Sequence, residues 1–387
     1  LAHGLNSTYD YMWIDDFYYE NIPSCFKLTN LRTTSSTSTS VGLAWTPDSY
    51  PNNWSVEYGQ SPLTLGTGTK VYVSDSMPSI SNLTPNTSYD FVVREVCSAG
   101  DTSYYSDLVT EITPTNPVTL PFMSDFESPS SIANIQLISA SDANVSLVAN
   151  SSCSGSGTLL FTGGSSSGFT GGSTSATPTN AWVNNTTKQA WANINVDATS
   201  ATNMMEASFD LKQEYSFGAK YSWLRVLVDG VQISPDFNPS TANSDPCTKV
   251  SVDLSAYAGT SFLLSIQSSC KYDDANSSQS SGDNAFVDNL MIREIPLSAM
   301  AMASANTVCS GDTVMLYGMA DGGDGLYSYS WSNGMQGDTI MVAPTTSSTY
   351  VFTVQDGNGT FAYDTVSIMV NSAPQVSISA LGDPWCD

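Results

Sequence analysis

Short bursts of alternating apolar and polar residues, cut by Pro, Asn, Gly and Ser, run along nearly the whole chain, and a period of two predicts strands rather than helices. The runs Val41–Trp45, Trp54–Tyr58, Lys70–Val73, Tyr89–Val96 and Leu108–Ile112 form one group. Thr158–Phe161, Ala190–Val196, Met205–Leu211, Ser222–Val228, Lys249–Leu254, Ser261–Gln267 and Ala285–Ile292 form another. No helical period intervenes, so the chain is expected to be all-β, a series of tandem β-sandwiches.

One pattern occurs twice and divides the chain. In Asn284–Pro296, Phe286, Val287, Asp288 and Leu290 answer Trp13, Ile14, Asp15 and Phe17 of an earlier stretch, and Ile295-Pro296 answers Ile22-Pro23. Alternating apolar residues closing on a proline describe a last strand leaving its sheet. The acids in the middle are out of place in a plain β-core. Five segments follow: 1–23, the last strand of a preceding module; 24–116; 117–296; 297–372; and 373–387, the first strand of a further module. The sequence is expected to be part of a longer protein.

At 387 residues the chain can bury several cores. Eleven Lys and Arg against 36 Asp and Glu leave a formal charge of −25, which argues against nucleic acid and anionic membranes as partners and makes cations the natural small ones. No apolar run is long enough for a membrane-spanning helix, so membrane insertion is not expected in this segment. Seven cysteines without a CxxC, beside the single His3, do not make a common zinc site and read as disulfides, with an odd thiol left over. With only His3, the Ser-His-Asp, Cys-His and HExxH chemistries lack their base, and Gly163-Gly164 and Gly322-Gly323 sit in turn contexts rather than in phosphate loops. No enzymatic activity is expected. Lys249–Leu254 and Ser261–Gln267 read as a hairpin, which would pair Cys247 with Cys270 at its open end and leave Cys153 free.

Three segments resemble known families. In 24–116, Trp45 and the corner Leu83-Thr-Pro-Asn-Thr-Ser-Tyr89 resemble the fibronectin type III domain. The resemblance implies a buried Trp45, a Tyr89 hydroxyl returning to the backbone, and Cys25 and Cys97 at one end of the sandwich, bonded or as two buried thiols. In 117–296, Leu120-Pro-Phe-Met-Ser-Asp-Phe-Glu127 and Val287-Asp-Asn-Leu290 resemble MAM-like jelly rolls of the choice-of-anchor kind, and Ser165–Pro178 reads as an insertion that need not pack. In 297–372, Tyr327–Gly334 and Tyr350–Gly359 resemble PKD and bacterial Ig-like repeats, though Thr360 stands where many relatives carry a partner for a cysteine like Cys309.

The jelly-roll resemblance places the first and last strands side by side, which would gather Asp125, Glu127 and Asp288 around a structural calcium ion. The alternative is that the first two are solvated edge residues. Asp273, Asp274 and Asp283 could serve as well, or be wet turns. Asp75-Ser76, Asp312-Thr313, Asp338-Thr339 and Asp364-Thr365, each before an apolar residue, resemble the O-glycosylation pattern of Bacteroidota surface proteins, with Ser76, Thr313, Thr339 and Thr365 as acceptors. Tyr104, Tyr105, Trp182 and Trp191 could stack on sugars or belong to core and rim.

Together the modules resemble secreted multidomain surface proteins of the Bacteroidota exported by the type IX system. The resemblance implies an extracellular, structural and adhesive segment of a stalk or filament, self-associating into a homo-oligomer, with a surface glycan or other cell-surface target. The rival reading is the substrate- or carbohydrate-binding accessory region of a large secreted hydrolase.

Overall fold

The computed structural model describes residues 25–47, 53–98, 101–140, 143–149, 153–163, 182, 189–214, 222–238, 246–270 and 283–371. The expected terminal pieces 1–23 and 373–387, the insertion Ser165–Pro178, and Asp273 and Asp274 lie outside these. Among the described residues the chain is all-β, with two short 3-10 turns, and it divides into two compact units, Leu1–Pro114 and Thr115–Asp387.

The first unit holds β1 Thr29–Thr37, β2 Ser40–Thr46, β3 Trp54–Gln60, β4 Thr69–Val73, β5 Ser79–Ser81, β6 Ser88–Ser98, β7 Asp101–Thr102 and β8 Val109–Ile112. One sheet orders as β1-β2-β5 and the facing one as β4-β3-β6-β7, with β8 also on β6. Alternate residues of each turn inward: Leu43, Trp45, Trp54, Val56, Phe91 and Val93 fill the space between the layers. Trp45 is 4% exposed and meets Trp54 edge-on at 5.6 Å. The Tyr89 hydroxyl accepts the Thr84 N–H at 3.0 Å, closing the corner. Cys25 and Cys97 are bonded, with Cα atoms 5.7 Å apart.

The second unit begins with β9 Val118–Thr119, β10 Phe122–Ser124, β11 Gln136–Ile138, β12 Ala143–Val148, β13 Thr158–Gly163, β14 Ala190–Asp197, β15 Met205–Gln213, β16 Ser222–Val228, β17 Val231–Gln232, β18 Thr248–Asp253, β19 Ser261–Cys270 and β20 Ala285–Glu294. They form two sheets, β12-β13-β20-β15-β18 and β11-β14-β19-β16-β17, over one core that includes Phe126, Phe161, Ile194, Phe209, Leu264 and Ile292. Two antiparallel sheets face to face make this a sandwich.

The hairpin expected from Lys249 to Gln267 does not form. β18 pairs with β15 in one sheet and β19 with β14 and β16 in the other, so the chain between them crosses from layer to layer through the 3-10 turn Ser255–Tyr257. Cys247 and Cys270 therefore part company, and the expected Cys247–Cys270 bond is corrected to Cys153–Cys247, with Cα atoms 5.5 Å apart. Of the cysteines in these two sheets, Cys270 is the free thiol; it is 1% exposed, and burial pushes its pKa up to about 12.

The same unit continues with β21 Ser298–Ala303, β22 Thr307–Cys309, β23 Val314–Asp321, β24 Tyr327–Trp331, β25 Thr339–Val342, β26 Ser348–Asp356 and β27 Phe361–Asn371. Sheets β21-β23-β25 and β22-β27-β26-β24 enclose Leu316, Trp331, Ile340, Phe352 and Ile368. The Trp331 indole donates to the Gly337 carbonyl at 3.0 Å and packs on Phe352.

Only Ile295, Pro296 and Leu297 separate β20 from β21. Gly323, in the turn after β23, donates to the Ile295 carbonyl at 2.9 Å and accepts from Met204, and the Ile295 N–H donates to Met204 at 2.7 Å. Asn358 adds a bond to the Thr202 carbonyl, and the Tyr327 hydroxyl holds the Gly322 carbonyl at 2.6 Å. Backbone bonds have narrow geometry, so these two sandwiches are braced as well as linked.

Candidate functional site

β20 changes partner halfway along one edge. Its first half pairs with β13, through Phe286↔Leu160, and its second half with β10, through Leu290↔Ser124. Asp288 and Asn289 fall at the change, and Asn289 takes a left-handed φ of 50° there. A carboxylate in mid-strand is thus explained by an interrupted ladder that leaves backbone donors to satisfy.

Those donors come from residues 153–157. Fully buried Asp288 accepts the Ser154 N–H at 3.1 Å and its hydroxyl at 3.0 Å on one oxygen, and the Asn289 N–H at 2.7 Å on the other. Glu127 accepts the Ser156 N–H and hydroxyl, the latter at 2.6 Å, and the Gly157 N–H. These bonds, the Ser156 hydroxyl first, hold the Glu127 carboxyl below its ordinary pKa. Phe126 adopts a φ of 56° and turns into the core, which sends Asp125 and Glu127 outward. Gly155 is required here: at φ +60° a Cβ would strike the Glu127 carboxylate.

Asp288 and Glu127 therefore grip one loop, which Cys153–Cys247 anchors at its start, while Asp125 accepts the Glu127 N–H at 3.2 Å. In this arrangement the bonded carboxylate oxygens face N–H and O–H donors. Among the described residues no group of three or more His, Cys, Asp or Glu is placed to hold a metal ion. The sequence signal for these partners was Cys153-Ser-Gly-Ser-Gly157, two short hydroxyls alternating with two glycines.

A second constellation lies on the outer face of the sheet β11-β14-β19-β16-β17. Ile194, Leu264 and Val226 point into the core, so Trp191, Gln267 and Arg225, side by side across β14, β19 and β16, point away from it. Arg225 donates to Gln267 at 2.6 Å and to Gln232 at 2.9 Å, and its guanidinium lies 4.1 Å from the centre of the Trp182 ring. The Trp182 indole N–H and the Gln232 amide both donate to Asp236, and Gln267 donates to Gln189. Along this face Asn193 Oδ1, Trp223 Nε1 and Ser269 Oγ are buried without a hydrogen-bond partner. Trp182 and Trp191 were visible as aromatics; Arg225 and Gln267 carried no motif.

Tyr105 is committed elsewhere. Its hydroxyl donates to buried Glu57, its ring lies under Arg94, and burial together with the Glu57 bond raises its pKa to about 12. Tyr104 is 48% exposed. Of the expected glycosylation acceptors, Thr313, Thr339 and Thr365 are exposed and Ser76 is half-buried.

No helix among the described residues is long and apolar enough to cross a membrane. No curated protein matches the chain. Similar solved structures include the FN5 domain of Drosophila Lar, 21% identical over 24% of this chain and 100% of that one, TM-score 0.21. Another is an FN3 domain of human collagen XX, 23% identical over 24% of this chain and 99% of that one, TM-score 0.20. The family model of the fibronectin type III domain matches residues 26–111. One fibronectin type III domain thus stands within an all-β chain of several sandwiches.

Proposed function

We propose that this chain is a structural, adhesive segment of a large extracellular surface protein, serving reach and contact in a stalk or filament. The observation that carries the reading is the braced joint of Met204, Ile295 and Gly323, since a short linker reinforced by backbone bonds resists bending in a way that a flexible tether does not. Two disulfides agree with an oxidising, extracellular setting. Export by the type IX system and glycosylation at Thr313, Thr339 and Thr365 belong to the same reading. Electron microscopy of the native protein on cells that make it, labelled by an antibody to this segment, tests it. Extended surface structures carrying the label are expected; label confined to the cell interior would overturn the reading. Light scattering of the purified protein tests self-association, and single unbundled strands at every concentration would remove the filament.

The constellation around Arg225 favours a second role, carbohydrate contact by the jelly roll. The half-buried Trp191 indole beside a fixed guanidinium and amides matches the alternating apolar and hydroxyl surfaces of a sugar. Binding to a glycan array that Trp191→Ala and Arg225→Ala each abolish is expected. An array on which the protein and both variants give the same signals would refute it.

A further inference from the structure

The sheet β21-β23-β25 has two apolar faces of different chemistry. Inward, β23 and β25 present Val314, Leu316, Ile340 and Val342, the residues that pack a sandwich. Outward, the alternate positions of the three strands carry Met300, Met302, Met315, Met319 and Met341 around Tyr317, with no Val, Leu, Ile or Phe among them. Met300, Met315, Met319 and Met341 are 51%, 40%, 54% and 57% exposed. The chain has 13 methionines in all, so five on one small face is a concentration. Apolarity alone does not account for it, because the β-branched residues that suit strands better, Val314, Ile340 and Val342, are used on the other side of the same strands. What the outward residues share is the thioether.

The register brings the sulfurs together. Met300 stands opposite Met319, and Met315 opposite Met341, in antiparallel pairs. Directly opposed side chains have Cβ atoms about 5 Å apart. Met302 follows Met300 on the same face, about 7 Å along the strand. The three rotatable bonds of methionine let Met300, Met302 and Met319 converge on a point between them. Thioethers are soft ligands: they select monovalent copper or silver and leave calcium and magnesium to oxygen donors. The charge of −25 raises the local concentration of any cation near the surface.

We propose that Met300, Met302 and Met319 form a binding site for a soft monovalent metal cation, copper(I) or its redox-inert analogue silver(I). The site needs no change of oxidation state and no backbone movement. Exposed Cys309 would compete as a thiol, so the test uses the full chain with Cys309 and Cys386 changed to Ser. Silver(I) is titrated while the methionine methyl resonances are followed by NMR. Met77 and Met123, each 67% exposed, report what a lone thioether does. The methyls of Met300, Met302 and Met319 are expected to shift together and saturate near one equivalent, at least tenfold below the concentration that moves Met77 and Met123. Calcium at the same concentration should move none of them. The triple variant Met300→Leu, Met302→Leu, Met319→Leu keeps the volume and apolarity and removes the sulfur. It should lose the tight phase, whereas the pair Met315→Leu, Met341→Leu should keep it. Equal silver affinity in the triple variant, or shifts that track Met77 and Met123, would overturn the proposal. So would a concentration-dependent dimer that buries these methyls and survives the triple variant, for the face would then be an apolar contact between copies.

Discussion

Replacing Gly322 with alanine strikes the joint without touching either core. Gly322 has a φ of +76°, and an alanine Cβ would lie 2.6 Å from the Ile295 carbonyl oxygen and closer still to that of Pro296. Both are backbone atoms, and the proline ring fixes the local chain. The turn must lift away. Left-handed backbone costs a non-glycine residue about 1–2 kcal/mol. The bonds of Gly323 to Ile295 and Met204, and of Tyr327 to Gly322, contribute roughly 1 kcal/mol each. The lost bonds should therefore weaken the joint by about 3 kcal/mol, while the strain, which the turn bears by itself, adds about 1–2 kcal/mol to the overall destabilisation. Calorimetry should show the sandwich of β21 to β27 melting apart from its neighbour, and NMR relaxation should give the two different tumbling times. Gly325→Ala is the control. It carries the same kind of strain at φ +81°, but its Cβ would meet only Met204 Sδ at 3.5 Å, so its joint should hold. A Gly322→Ala protein that melts and tumbles as the parent does would refute the account of the joint.

Other perturbations follow from the same reasoning. Burial raises the pKa of Glu57, but the Tyr105 hydroxyl, the Gly68 and Gly66 N–H groups and Lys70 outweigh it, and the net shift is downward. A depressed carboxylate stabilises the fold above its unfolded value of about 4.3 and loses that contribution as pH falls through the folded value. The first unit should thus lose stability below about pH 4, and Glu57→Gln should flatten that limb of an acid titration. Cys153→Ser opens a span of 94 residues and should cost about 4–5 kcal/mol in a denaturant melt, whereas Cys270→Ser removes no cross-link. Asp288→Ala removes the buried acceptor that holds the Ser154 and Asn289 donors and should cost about 2–3 kcal/mol, read as the midpoint of chemical unfolding. If Asp125, Glu127 and Asp288 share a calcium ion, a chelator should lower the thermal midpoint of the second unit by mass action, and an unchanged midpoint would remove the site.

Strands with strict alternation were legible, and the reason is physical: Ala190–Val196 faces a core on one side and solvent on the other, so its sequence records both. β1 was not, because Thr29–Thr37 has few apolar residues and is held by pairing to β2 rather than by burial. The Tyr89 corner was readable since one hydroxyl and one turn make it locally. Cys270 was misread because alternation does not tell which sheet a strand joins, and two successive strands read as a hairpin when the chain between them crosses the sandwich. Asp288 stood out as a carboxylate in an apolar run, yet its partners Ser154 and Ser156 are ordinary turn residues until the fold brings them near. The same holds for Arg225, whose neighbours come from separate strands, and for Gly322, whose need for a missing side chain shows only when Pro296 is seen against it.

The two disulfides also set how far the protein can lengthen. Cys25–Cys97 closes a span of 72 residues and Cys153–Cys247 one of 94. Under a pull at the chain ends, force passes through each sulfur bridge and the enclosed loop never straightens, even if the sheets around it come apart. At about 3.4 Å per extended residue, that withholds roughly 250 Å of contour in the first case and roughly 320 Å in the second. A chain built this way behaves under load as a tether of limited give, and a reductant would turn it into a far longer, softer one.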